Sequence, residues 1–187
     1  LKLSKKIKKK QSAKMGRMLT RKRLSENRAK AQVRHSFIRQ NVTEMSVKKS
    51  AMEDLFVIFM AAAHDALGFG KDRLAALKEK MLSHLECMRC GLVTVADIEN
   101  ILRDEANYGI LREKNKDRSR TTEIRMKAVD EVSAAFMISL LDGWGYKKVR
   151  LARAHKAAGD ISVQLANGTL TFAKIKDVLT NKVKFAA

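Results

Sequence analysis

The sequence predicts an all-α protein, a tandem duplication of a three-helix unit preceded by a basic, partly helical N-terminal arm. Three observations carry that prediction. The 187 residues contain no proline and only 5% aromatics, while Ala, Leu, Met, Lys and Arg, which lose little freedom in a helix, are abundant. The stretch Leu67-Gly68-Phe69-Gly70-Lys71-Asp72-Arg73-Leu74 returns 77 residues later as Trp144-Gly145-Tyr146-Lys147-Lys148-Val149-Arg150-Leu151. The net charge of +19 sits almost entirely in the first 50 residues, where 17 Lys and Arg face two acids.

The repeat holds one register without a gap. It pairs Phe59-Met60 with Phe136-Met137, Asp65 with Asp142, Gly91 with Gly168, Thr94 with Thr171, Ile98 with Ile175 and Leu102 with Leu179. Each unit is then about 57 residues long, too small to bury a generous core alone, so the two are expected to pack on each other or on a partner. The expected organisation is an arm over 1–49, a first unit over 50–106, a basic linker over 107–122 and a second unit over 123–187.

In the arm, residues 1 to about 14 have almost nothing to bury and are expected to order only against an anion. From Met15 to Met45 apolar residues recur every three to five positions, which predicts one or two basic amphipathic helices. Ser50-Ala51-Met52-Glu53 has the form of a capping box, so a helix is expected to start there. It runs to Leu67, where Gly68 and Gly70 suit a tight reversal. A second helix from Lys71 carries Leu74, Leu77, Met81, Leu85 and Met88 until Gly91 ends it. Thr94-Val95-Ala96-Asp97 caps a third helix with Ile98, Ile101 and Leu102 facing in. The linker holds Arg112, Lys114, Lys116, Arg118 and Arg120. The second unit repeats the pattern with Val129, Val132, Ala135, Phe136 and Leu140, and then with Leu151, Ala154, Ala158 and Leu165. In its last helix Thr171 caps Ile175, Val178 and Leu179. Gly159-Asp160 is expected to interrupt the second unit's middle helix, leaving that unit with less core.

An arm of this charge density is attracted to polyphosphate or to an acidic protein groove, with affinity that falls steeply with salt. Its candidate partner-binding cations are Lys5, Lys6, Lys8, Lys9, Lys10, Arg17, Arg21, Lys22, Arg23, Arg28 and Arg34. A solvated tail is the plainer alternative, and an anionic membrane surface a weaker one, because the stripe lacks Trp. No apolar run reaches the roughly 18–20 residues of a membrane span. Without a signal-peptide apolar core, a cytoplasmic location is expected.

In the folded part, Lys71, Arg73, Lys148 and Arg150 stand at the starts of equivalent helices, where the helix dipole favours acids. They are read either as ion-pair partners, Arg73 for Asp65 and Arg150 for Asp142, or as a helix-turn-helix-like edge offered to phosphate. The glycine turn lacks the spacing and the preceding strand of a phosphate loop. His84-x-x-Cys87-x-x-Cys90 resembles three quarters of a zinc site, but Ile161, Gln164 and Asn167 replace it in the second unit. No metal and no cofactor is expected. His64-Asp65 are helix neighbours that do not face each other, and no carboxylate pair, triad or ligand cluster supports an enzyme. Phe59 and Phe136 are read as core, and Phe69, Trp144 and Tyr146 as packing of the helix corner rather than base-stacking platforms.

The turn with its following Arg-Leu and the upstream Ala63-His64-Asp65, extended by Gly91-x-x-Thr94, resembles a recurring segment of small proteins of Firmicutes phages and mobile elements. The resemblance covers roughly residues 52–108. The second unit departs from it at Lys147, where the second glycine would stand, and at Leu141, where the histidine would stand. It carries over no functional residue. By analogy it implies a small basic inhibitor of a CRISPR effector, an anti-CRISPR that occludes a Cas9-type nuclease. Because nuclease channels are themselves basic, such a protein is expected on acidic rims or on the bound guide and target, not as a DNA mimic. The rival expectations are a double-stranded DNA-binding regulator or packaging protein, and a structural ribonucleoprotein component.

Overall fold

The computed structural model describes the backbone of residues 2–110 and 119–185. It describes side chains from Lys30 onward within those spans, apart from Val33, His35 and Phe37. Within them the protein is all helical: α1 (Lys2–Leu67), α2 (Lys71–Arg89), α3 (Val95–Ala106), α4 (Arg120–Trp144), α5 (Lys148–Ala166) and α6 (Phe172–Asp177), continued by a π-helical turn over Val178–Lys182. No strand occurs among the described residues, and no helix there is long and apolar enough to cross a membrane.

The chain divides into two units, residues 1–45 and 46–187. In the first, Ile38, Val42 and Met45 lie at helical spacing and are 57%, 61% and 73% exposed, so these described residues of the arm's apolar stripe stand uncovered on α1. Residues 2–14, expected to order only against an anion, belong to α1. The side chains of the candidate cations Lys5, Lys6, Lys8, Lys9, Lys10, Arg17, Arg21, Lys22, Arg23 and Arg28 lie outside the described residues, as does half of the linker, 111–118.

The expected start at Ser50 is corrected: α1 passes through it unbroken. A capping box stabilises an end only where the upstream chain leaves the helix, and nothing upstream of Ser50, neither proline nor glycine pair, makes it leave. The start of α4 is at Arg120, where the Ser119 side chain accepts from the Thr122 amide.

The turns between helices follow from local chemistry. After α1 the chain reverses at Gly68 (φ +68°), and after α4 at Gly145 (φ +62°). Both values lie in the left-handed region where a Cβ is penalised. The Gly68 and Phe69 amides return to the carbonyls of His64 and Ala63, and those of Gly145 and Tyr146 to Leu141 and Leu140. At α3, Thr94 accepts from the Asp97 amide while the Asp97 carboxylate accepts from the Thr94 amide, the reciprocal cap that the sequence predicts. Thr171 repeats only half of it, because the third position of α6 is Lys174.

These bonds recur at the constant spacing of 77 residues. So do the helix bounds of α2 and α5, the capped starts of α3 and α6, and the left-handed residues Asn107 (φ +49°) and Lys184 (φ +58°). The two trios share one core. Phe59 meets Phe136 with ring centroids 4.5 Å apart, and Phe69 meets Tyr146 at 6.2 Å. In each pair a residue touches its own counterpart, which happens only along an approximate twofold axis. α4 packs on α2 and α3 of the other trio, and Leu74, Leu77, Met81, Met137, Leu140 and Leu151 are fully buried in the common cluster.

Two expectations about the core are corrected. α5 runs through Gly159-Asp160 without interruption. A single interior glycine costs only about 1 kcal/mol against alanine, and Ala158 and Ile161 on either side are buried and hold the helix down. Ile101 is 37% exposed rather than inward, and Ile98, Leu102 and Ala106 carry the buried face of α3.

Because both trios empty into one core, Phe136→Ala is expected to lower stability by about 3–5 kcal/mol. Urea unfolding followed by Trp144 fluorescence and by helical circular dichroism should then show a single coincident transition at a lower midpoint. Two separated transitions would contradict the shared core.

Candidate nucleic-acid interface

Lys71, Arg73, Lys148 and Arg150 are all exposed, in the first turns of α2 and α5. The ion-pair reading of the arginines is corrected. Neither Asp65 nor Asp142 lies within ion-pair distance of them, and the Asp142 carboxylate instead faces His84 Nε2 at 3.3 Å. The arginines lie over rings: Arg73 Cζ is 5.8 Å from the centre of Phe69 and Arg150 Cζ 4.6 Å from that of Tyr146. A ring four residues before a helical arginine sits directly beneath it, and its negative face attracts the guanidinium. The charge stays in solvent while the planar group is held, so both guanidiniums keep hydrogen-bond donors for an anion.

The twofold seam brings the two turns together. Phe69, Tyr146 and Trp144 form one aromatic cluster, with Trp144 4.8 Å from Phe69. Phe69 and Tyr146 are buried, which is the corner packing the sequence suggests. One cluster thus carries both arginines, with Lys71 and Lys148 two residues before them. The first turn of α5 contains no acid and α2 has only Asp72, so the amide ends of both helices add to the positive potential. Arg34, the one described cation of the arm set, is exposed on α1.

The remaining polar groups near the seam have structural duties. His64 Nδ1 donates to the Phe69 carbonyl at 2.9 Å and so clamps the glycine turn. Lys147 Nζ donates to the Glu105 carbonyl at 2.6 Å, at the end of α3, where helix carbonyls lack partners. The backbone at Lys147 (φ −101°), like that at Gly70 (φ −86°), is extended and open to any residue. The sequence reading missed both the arginine platforms and this cap. The platforms were detectable as an aromatic four residues before an arginine in both turns; the cap depends on an interaction spanning 42 residues of chain.

Cys90 Sγ donates to Glu86, and His84 is taken up by Asp142. The His84, Cys87 and Cys90 side chains do not converge on a common centre, and among the described residues no group of three metal-ligating side chains is assembled.

A further joint closes the end of the first trio. The buried Tyr108 hydroxyl meets His155 Nδ1; at the twofold-related place Lys78 Nζ lies 5.6 Å over the Phe185 ring. Burial pushes the Tyr108 phenol up to about 12 and the His155 imidazole below its ordinary value.

No protein-family model, no curated protein and no solved structure matches this chain.

Since His155 binds its proton less readily folded than unfolded, the unfolded chain gains protons first as pH falls below about 6.5, and stability declines there. His155→Gln is expected to flatten that decline between pH ~7 and ~5, measured as urea midpoints against the parent protein. Parallel pH profiles for the two would remove the assignment.

Proposed function

We propose that this is a non-enzymatic protein that binds a nucleic-acid or nucleoprotein surface through the basic arm and the cationic edge of α2 and α5. The observation that carries the reading is the separation of charge. Residues 1–50 hold 17 Lys and Arg against two acids, and everything after them amounts to only +4. A solvated tail needs no such one-sided charge. As a helix, those cations form a rod that can follow a phosphate backbone, roughly 1.5 Å of rise per residue. The edge offers Lys71, Arg73, Lys148 and Arg150 to further phosphates, the arginines held over their rings. The two trios are proposed to be a tandem duplication of one unit, which accounts for two equivalent cationic turns side by side at the seam.

In its most specific form, taken from the resemblance of the Leu67–Leu74 segment with the upstream Ala63-His64-Asp65, the surface occluded is that of a Cas9-type nuclease, and the protein is an anti-CRISPR acting in the host cytoplasm. The alternative, a double-stranded DNA-binding regulator or packaging protein, or a ribonucleoprotein component, uses the same cations.

Three titrations of the full chain separate these. Replacing Lys5, Lys6, Lys8, Lys9 and Lys10 with Gln should weaken binding to duplex DNA and lower the slope of log K against log salt by about 0.9 for each phosphate no longer neutralised. Arg73→Gln with Arg150→Gln should lower it further, by the equivalent of about one or two phosphates. If neither set of changes moves the slope, the phosphate-tracking role is wrong. Retention of a Cas9-type effector on the immobilised protein at about 0.5 M salt, where attraction to phosphate alone is largely screened out, is expected of the anti-CRISPR form. No retained effector would leave the nucleic-acid reading alone.

A further inference from the structure

The approximate twofold axis is broken in one place. Between the C-terminal part of α1, α5 and α6 lies a cavity of about 610 Å³. Its walls include Ala61 and His64 of α1, Ile161 of α5, Ile175 of α6, and Val178 and Leu179 of the π-helical turn. The residues 77 positions from Ala61 and His64 are Ile138 and Leu141, both buried in the common core. The counterpart of Ile161 is His84, which closes on Asp142. The same helices thus fill the equivalent space with two branched aliphatic side chains and a histidine-carboxylate pair, and leave it open here.

A second feature separates the two places. The last helix of the first trio stays α-helical to Ala106, whereas its counterpart changes to a π-helix at Val178, in the cavity wall. Widening a helix in this way is unfavourable, and such turns concentrate at functional sites. A truncated side chain on one wall, Ala61 where the other half has Ile138, and a π-turn on the other are independent departures that enlarge one space. The fold does not require either, since its other half does without both.

We propose that this cavity is a binding site for a small, uncharged apolar molecule with a branched-aliphatic or single-ring aromatic body, which would fill the place that the Ile138 side chain takes in the related half. Its volume is within the range of roughly 300–1,000 Å³ usual for small-molecule sites. Its walls are mainly aliphatic. The rim carries Lys174 and Lys182 against Asp65 and Asp177, a balanced set that gives no preference for a charged ligand, and Asp177 already accepts from the Asn181 amide. His64 Nδ1 is committed to the Phe69 carbonyl, so the ligand touches the side chain that clamps the turn beneath Arg73. The site is separate from the cationic interface proposed above and does not depend on it.

The second trio supplies the test. Isobutylbenzene and toluene, titrated into the full-length protein, are expected to bind saturably, to shift the methyl resonances of Ile161, Ile175 and Leu179, and to raise the melting temperature with ligand concentration. Ala61→Ile, which copies Ile138 and leaves the His64 clamp in place, is expected to melt no lower than the parent and to weaken both probes at least about tenfold. Ala61→Ile with His64→Leu copies the filled half more fully and serves if the single change leaves room. Absence of saturable binding by either probe would overturn the proposal. So would equal binding by the parent and both well-folded variants, or methyl shifts confined to residues away from the cavity. DNA affinity should be unchanged by Ala61→Ile, which keeps this result distinct from any failure of the interface reading.

Discussion

The structure depends on the contact of two like faces along one axis. Phe59 on Phe136 and Phe69 on Tyr146 are each a residue meeting its own counterpart, which sets equivalent elements of the two trios opposite one another. Three-helix units of about 57 residues bury a small share of their surface and are marginal alone. Placing α4 on α2 and α3 of the other trio makes a single core of the two, in which the phenylalanine rings supply much of the area removed from water. Stability and the placing of the surface groups therefore share one origin.

Reciprocity explains why equivalent positions carry different chemistry without loss of the fold. Tyr108 with His155 and Phe185 with Lys78 are the same joint made twice, once as a buried hydrogen bond and once as a cation over a ring. Lys147 can stand where the first trio has Gly70 because both positions have extended backbone that any residue adopts, and its ammonium group then reaches the end of α3. The joint tolerates each exchange as long as buried polar atoms find partners, and no described buried side-chain polar atom lacks one.

The cationic edge is a by-product of the same axis. A ring four residues before an arginine is a local arrangement that any helix start could hold. Only the meeting of the two turns gathers Phe69, Trp144 and Tyr146 into one cluster bearing both guanidiniums. Arginine over an aromatic face loses little solvation and less freedom than a lysine in water, so the edge is organised before any partner arrives. In the reading proposed above the arm would work differently, its charge attracting over a distance set by salt; its exposed Ile38, Val42 and Met45 leave apolar surface that the rest of the described chain does not bury.

Helical class, the capped start of α3, the two glycine reversals and the 77-residue register were legible in the residues themselves, because each rests on interactions within a few positions along the chain or on the plain recurrence of residue types. The boundary at Ser50 was not, since a capping sequence says where a helix can begin and not whether the chain upstream has already begun one. Nor was the fate of Asp65, Asp142 and the two arginines: i and i+8 neighbours across a turn look like ion-pair partners until packing brings His84 to one carboxylate and a ring beneath each guanidinium. Sequence alone determined which elements exist and that they occur twice. The twofold packing decided which faces meet, which charges remain free and where one half leaves a cavity that the other fills, because those outcomes depend on distances between residues far apart in the chain.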